Sequence, residues 1–213
     1  MSDDGKLATV FGGSGFIGRY IVWSLARGGY RVRAAVRRPE LAGHLQPMGV
    51  VGQIHPVQAN LRFPDSVVRA VDGARTVINS VGILAPVGKQ TFEAVHAEGA
   101  RRVAKAAREA GVERLVHISA IGADRNGSAK YARTKAEGEE AVLAEFPSAI
   151  ILRPSIVFGA EDQFFNRFAA LARLSPALPL IGGGRTKFQP VFAGDVGQAA
   201  ANAAIDSGRP GMT

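Results

Sequence analysis

Tyr131 and Lys135 stand four residues apart in the run Y-A-R-T-K, the spacing that puts two side chains on one face of a helix. A phenol beside an ammonium is an acid/base pair, because the positive charge favours phenolate and lowers the phenol's pKa. A tyrosine tuned this way passes a proton to or from a carbonyl or alcohol while a hydride moves on or off the substrate. Ser119 closes the apolar run R-L-V-H-I and stands where it can orient the substrate oxygen. Tyrosine and lysine at this spacing are common on solvated helices, so their meaning depends on what precedes them in the chain.

What precedes them is V-F-G-G-S-G-F-I-G, Val10 to Gly18, which reads as a strand end, a glycine turn and a helix start. Leu7, Ala8, Val10 and Phe11 make a buried parallel strand, and Phe16, Ile17, Ile21, Val22 and Leu25 recur at helical spacing. Between them Gly12 lets the chain turn, Gly15 lets the backbone approach a pyrophosphate, and Gly18 lets the helix press on the sheet. The unpaired amides of the first helical turn then hold a dinucleotide's phosphates. The next strand, Arg31 to Val36, ends at Arg37 and Arg38. An NAD-preferring unit carries an acid there for the ribose 2′-hydroxyl, whereas a guanidinium grips a 2′-phosphate with a planar fork of donors. The expected cofactor is therefore NADP(H) ahead of NAD(H).

Strands and helices go on alternating. A short strand at Ile54 to Val57 leads to Asn60 and Leu61, placed to flank an adenine ring. A helix over Phe63 to Val71 precedes a strand at Arg75 to Ser80, whose small-residue end Val81–Gly82 admits a ligand. Phe92, Val95, Ala100, Val103, Ala107 and Ala110 form the stripe of one long helix stopped by Gly111. A fifth strand at Arg114 to Ile118, a helix from Ser128 to Glu145 and a sixth strand at Ala149 to Leu152 follow, with a break at Pro154. This alternation predicts an α/β fold, a doubly wound parallel sheet of the Rossmann type over 1–157, with ligands at the strands' carboxyl ends. Residues 158–213 read as the start of a small C-terminal substrate lobe with a returning helix over Asp195 to Ile205. Phe164, Phe168, Leu171 and Ser175 share a helix face, with Phe165, Arg167 and Arg173 around it. That face suits either a partner or membrane surface, or the protein's own core. Gly182 to Arg185 reads as a plain turn.

The 213 residues carry 26 Lys and Arg against 18 Asp and Glu, a net charge of +8. Basic residues run no longer than the pairs Arg37–Arg38 and Arg101–Arg102, and no aromatics interleave with them, which argues against nucleic acid. The absence of cysteine excludes disulfides, thiolate metal sites and a cysteine nucleophile. His44, His55, His96 and His117 show no ligand spacing, so no metal is expected. Asp3 and Asp4 stand where a signal peptide would be basic, and no apolar stretch nears the roughly 20 residues needed to span a bilayer. Any membrane contact would be peripheral.

The glycine turn, Y-x-x-x-K and R-P-S-I-V-F-G (Arg153 to Gly159) together resemble the extended and atypical short-chain dehydrogenase/reductases, the epimerase/dehydratase-like group. E-D-Q-F-F-N-R-F-A-A-L-A-R-L-S-P-A-L-P-L (Glu161 to Leu180) and F-Q-P-V-F-A-G-D-V (Phe188 to Val196) resemble one branch, the NAD(P)H-binding accessory subunits of respiratory complex I and their alphaproteobacterial relatives. The resemblance implies that Gly12, Ser14, Gly15, Phe16 and Ile17 hold the pyrophosphate and that Arg37 with Arg38 takes the 2′-phosphate. Asn60 and Leu61 would meet the adenine, and Val81 and Gly82 the adjoining ribose. Ser119, Tyr131 and Lys135 would line the nicotinamide end, closed over by Pro154, Ser155 and Ile156. It further implies complex I subunits of the peripheral arm as partners. The location would be cytoplasmic, on the inner face of an energy-conserving membrane, or the matrix side in a mitochondrion. Ala120 follows Ser119 where active members pair small hydroxyl residues, which fits a nucleotide used structurally. The alternatives are a free NADP-dependent reductase or epimerase, with a quinone-pathway substrate, and an NADPH-sensing regulator. Members of this group continue beyond the returning helix, so truncation at Thr213 or the lack of a normal substrate lobe is expected.

Overall fold

The computed structural model describes residues 6–174 and 181–205. Asp3, Asp4, Ser175, the run 176–180 and the end of the chain at Thr213 lie outside the described residues. Six strands form one parallel sheet: β1 (Leu7–Phe11), β2 (Arg31–Val36), β3 (Ile54–Gln58), β4 (Thr76–Asn79), β5 (Arg114–Ile118) and β6 (Ile150–Leu152), in the order β3-β2-β1-β4-β5-β6. The order reverses beside β1, so the crevice outside the carboxyl ends of β1 and β4 is the place where such a sheet binds ligands. The register runs Val10 beside Ala34 and Ile78, and Ile78 beside Val116, which aligns those ends.

Strands covered on both faces are buried throughout rather than at alternate positions; β4 (T-V-I-N) is buried at all four positions, its polar ends Thr76 and Asn79 included. One face packs Val77, Leu115 and Ile151 against α2 (Pro64–Val71), α3 (Glu98–Glu109) and α4 (Lys130–Glu145). The other packs Val10, Ile78 and Val116 against α1 (Phe16–Arg27) and α6 (Ala193–Ile205). The returning helix is thus part of the second layer: Ala200, Ala201 and Ala204 are buried in it, and a Cβ on Gly197 would lie 2.7 Å from the Tyr20 carbonyl carbon.

The long helix expected from Phe92 is not uniform, because Glu93–Ala97 forms a π-helical turn before α3 begins. The five-residue step from Val95 to Ala100 in the apolar stripe is the trace of that wide turn, since an α-helical stripe steps by three or four. Gly138 of α4 lies against it, where a Cβ would stand 2.2 Å from the His96 carbonyl oxygen. Such wide turns frequently occur at functional sites.

Beyond the sheet, β7 (Val157–Phe158) and β8 (Val191–Phe192) pair in parallel, and α5 (Phe165–Leu174) lies between them in sequence. Asp162 Oδ1 accepts the amides of Phe164, Phe165 and Asn166 at 3.0, 2.6 and 3.2 Å and so caps α5. No residue of α5 is buried; Phe164 meets Phe168 and Phe188 ring to ring, and Leu171 is exposed. Ile181–Gly184 makes a single 3-10 turn.

Candidate functional site

The pyrophosphate end is built by backbone. Gly12 takes φ +77°, its amide donates to Ala35 O at 2.9 Å, and its carbonyl accepts the Gly15 amide at 2.9 Å. A Cβ on Gly18 would stand 2.1 Å from Gly12 O, so the helix can lie this close only with glycine there. No side chain caps α1 after Gly15, and its first turn holds no acid, which leaves the helix's positive end to an anion. Phe16 and Ile17 are the first residues of that helix, and Ser14 O lies 3.4 Å from Arg19 Nη2. Ser80 ties β4 to β1 through its amide and Oγ, which donate to Phe11 O at 3.0 and 2.7 Å. Val81 and Gly82 therefore follow directly beside the glycine turn.

Arg37 and Arg38 are exposed just beyond β2. Arg37 Nη1 donates to Gln90 Oε1 at 2.6 Å, a contact between loops 53 residues apart. Asn60 is half-buried, its Oδ1 accepting the Arg62 amide at 3.1 Å. Leu61 instead packs its side chain into the core against Gly99 and keeps 7% exposure, which leaves Asn60 as the accessible member of that pair.

The nicotinamide end gathers residues from four elements. Ser119 at the end of β5 is buried, and its Oγ has no hydrogen-bond partner among the described residues. Lys135 Nζ donates to Ile118 O at 3.1 Å, and a Cβ on Gly82 would lie 3.4 Å from that nitrogen, so Lys135 lies beside Gly82. Burial pushes the lysine pKa down to about 8, against an opposing pull from Glu139 one turn along α4. Glu139 is itself buried and held by Arg153, whose Nε donates to its Oε1 at 2.9 Å. Pro154, Ser155 and Ile156 are half-buried; Pro154 O accepts the Ile121 amide and Ile156 O the Val191 amide, both at 3.0 Å.

The tuning expected of Tyr131 is reversed. Its ring lies edge-on to Phe92 and His96 at 5.9 and 5.3 Å between centroids, and burial raises the phenol's pKa. Lys135 shares the helix face, but it gives one of its three N–H donors to the Ile118 carbonyl, and at the Tyr131 phenol burial is the cause that acts.

Two histidines that show no ligand spacing in the sequence turn out to be central. His96 Nε2 accepts the Ile83 amide at 3.1 Å, and its Nδ1 lies 3.2 Å from Thr134 Oγ1, whose hydrogen is directed to the Lys130 or Tyr131 carbonyl. This network assigns the neutral Nδ1–H tautomer, and burial, reinforced by Lys135, holds the pKa down at about 4. His117 Nδ1 accepts from Asn79 Nδ2 at 3.2 Å because Asn79 Oδ1 takes the Val81 amide; its Nε2 is buried and unpartnered among the described residues. Burial, then Lys135 and His96, press its pKa to about 3. The five-residue step at Val95 to Ala100 was the one sequence signal pointing to His96.

An uncapped helix start behind a glycine turn, an arginine after β2 and a buried unpartnered serine at the end of β5 fit a dinucleotide laid across the switch point. The fold and site define a nicotinamide-dinucleotide-binding α/β protein of the Rossmann class. Residues 12–158 match the family described as NAD(P)H-binding, and the chain belongs to that family. It is 41% identical over 214 residues to the mitochondrial NADH dehydrogenase (ubiquinone) 1 alpha subcomplex subunit 9 of Mus musculus, covering 100% of this chain and 56% of that protein. It is 33% identical over 182 residues to a ceramide reductase of Caulobacter vibrioides, covering 85% and 56%. The chain spans about half the length of the curated relatives it matches. Among solved structures, a dTDP-glucose 4,6-dehydratase from Streptomyces venezuelae with NAD bound superposes with a TM-score of 0.79 at 21% identity, over 97% of this chain and 74% of that one. No helix among the described residues is long and apolar enough to cross a membrane.

Proposed function

We propose that this chain holds NADP(H) as a structural element of an accessory or assembly component of NADH:quinone oxidoreductase. The observation that carries the reading is the state of the Tyr131–Lys135 pair: a phenol made less acidic by burial, and an ammonium anchored on a backbone carbonyl through one of its three N–H donors. Such a pair suits gripping a ribose better than moving a proton, and the similarity to the murine subunit along the whole chain agrees with it. In this reading the first-turn amides of α1 hold the pyrophosphate, and Arg37, with Arg38 beside it, takes the 2′-phosphate. Asn60 stands at the adenine, Val81 and Gly82 at the adjoining ribose, Lys135 lines the nicotinamide end with Ser119 and Tyr131, and Pro154 to Ile156 border the ring. When bound, the nicotinamide can accept or give hydride; His96 and Ser119 fix the geometry around it. The partners would be complex I subunits of the peripheral arm, on the inner face of the energy-conserving membrane.

A second reading, a free NADP-dependent reductase, is favoured by the intact Ser119, Tyr131 and Lys135 set and by the ceramide reductase relative. The two separate when the tagged protein is isolated from gently solubilised membranes of its own cells. Complex I subunits in stoichiometric amount, and assembly indifferent to Tyr131→Phe, support the accessory role. A partner-free protein whose turnover of a carbonyl substrate collapses in Tyr131→Phe would replace it with the enzyme.

A further inference from the structure

Several arginines of this protein meet carboxylates, as Arg19 with Glu161, Arg75 with Glu113, Arg108 with Glu145 and Arg153 with Glu139, and Arg33, Arg102 and Arg133 donate to backbone carbonyls. Arg37 differs in that its partner among the described residues is a side-chain amide, that of Gln90, which is neutral. A carboxylate there would cancel the guanidinium's charge, whereas an amide oxygen fixes its plane and leaves the charge whole. One of five N–H donors is engaged by Gln90, and the others remain for a doubly charged phosphate.

Gln90 is itself held from both sides. Its amide donates to Val87 O at 3.0 Å and its carbonyl accepts the Val87 amide at 3.1 Å, closing a tight turn through Gly88, at φ +56°, and Lys89. The next residue, Thr91, accepts the Ala94 amide on Oγ1 at 3.2 Å and so starts the helical segment that carries His96. The glutamine therefore projects from a fixed backbone, and an exposed arginine that would otherwise sample many rotamers is pre-set by it. Pre-setting a long cationic side chain removes part of the ordering cost of gripping a ligand.

We propose that Gln90 is a positioning residue that sets the preference for NADPH over NADH by holding Arg37 in place for the 2′-phosphate; the proposal rests on the NADP(H) reading above. NADH lacks that phosphate, so Gln90 acts on one nucleotide and not the other.

The test is calorimetric titration of the purified chain with NADPH and with NADH, for wild type, Arg37→Ala, Gln90→Leu and Gln90→Glu. Gln90→Leu is expected to weaken NADPH about fivefold, the scale of one lost hydrogen bond, and to leave NADH unchanged. Gln90→Glu should weaken NADPH more than about tenfold, since the carboxylate pairs with Arg37 and repels the phosphate, and added salt should narrow that gap. If Arg37→Ala erases the preference while both Gln90 variants keep the wild-type ratio, the Gln90 assignment is overturned and the NADP(H) reading stands. Equal weakening of both nucleotides by Gln90→Leu would assign the residue to loop folding and likewise overturn it. An unchanged ratio in Arg37→Ala would remove the NADP(H) reading and this inference with it.

Discussion

Acid should destabilise this fold well before its carboxylates protonate, because His96 and His117 are buried neutral, and His117 shows the effect most plainly. The imidazole is 1% exposed in β5, Nε2 has no partner among the described residues, and burial holds the pKa at about 3. In the unfolded chain it returns to about 6.5. A base with a depressed folded pKa is protonated first in the unfolded state, so its contribution to stability is complete above pH 6.5 and is lost as pH falls toward 3. At pH 5 the unfolded state lies about 1.5 pH units below its pKa, worth about 2 kcal/mol, while at pH 7 the effect is only a few tenths. For a domain of this size that is a fall in Tm of about 4–8 °C from this residue alone. Urea denaturation of wild type and His117→Gln at pH 7, 6 and 5 in one buffer measures it. Gln at 117 can still accept from Asn79 but cannot titrate, so its stability should fall about 2 kcal/mol less over that range. Parallel pH profiles for the two proteins would refute the reasoning, showing that the imidazole is hydrated or protonated in the fold.

Lys135, with its pKa pushed down to about 8, gives a second window of the same sign at alkaline pH: stability should rise as pH goes from about 8 to 10.5, by up to about 3 kcal/mol, and Lys135→Met should flatten that rise in denaturant titrations. Gly18→Ala places a Cβ 2.1 Å from the Gly12 carbonyl oxygen, so the turn must open; NADPH binding should vanish by calorimetry even where far-ultraviolet circular dichroism shows the sheet intact. Gly138→Ala drives α4 off the His96 carbonyl and should cost on the order of 2 kcal/mol, with loss of the His96–Thr134 contact visible in imidazole NMR shifts. Arg153→Met leaves the buried Glu139 carboxylate without its cation and should cost about 1–3 kcal/mol by urea melt, with Arg153→Lys recovering part of it.

The glycine turn, the six strands and their doubly wound order were legible because each rests on local chemistry: apolar runs bounded by small residues, and glycines where the backbone must approach itself. The returning helix Asp195 to Ile205 was equally plain, although nothing local to it shows that it completes the core beside α1. What spacing could not supply was burial. Tyr131 and Lys135 share a helix face, yet burial raises the phenol and the ammonium donates to Ile118 O. His96 and His117 have no ligand spacing to mark them, and their neutral, buried state depends on contacts from β4 and α4 that lie far off in sequence. Gln90 was invisible for a like reason, since nothing local ties a loop residue to an arginine 53 positions earlier.

The most direct test of the account is the nucleotide the protein carries. Isolated under native conditions from its own cells and then denatured, it should release NADPH and NADP+ in a one-to-one ratio with the chain, identified by mass spectrometry and enzymatic cycling. Release of NAD(H), or of no nucleotide from protein that remains folded and partnered, would contradict the claim that the glycine turn and Arg37 hold NADP(H) as part of the structure.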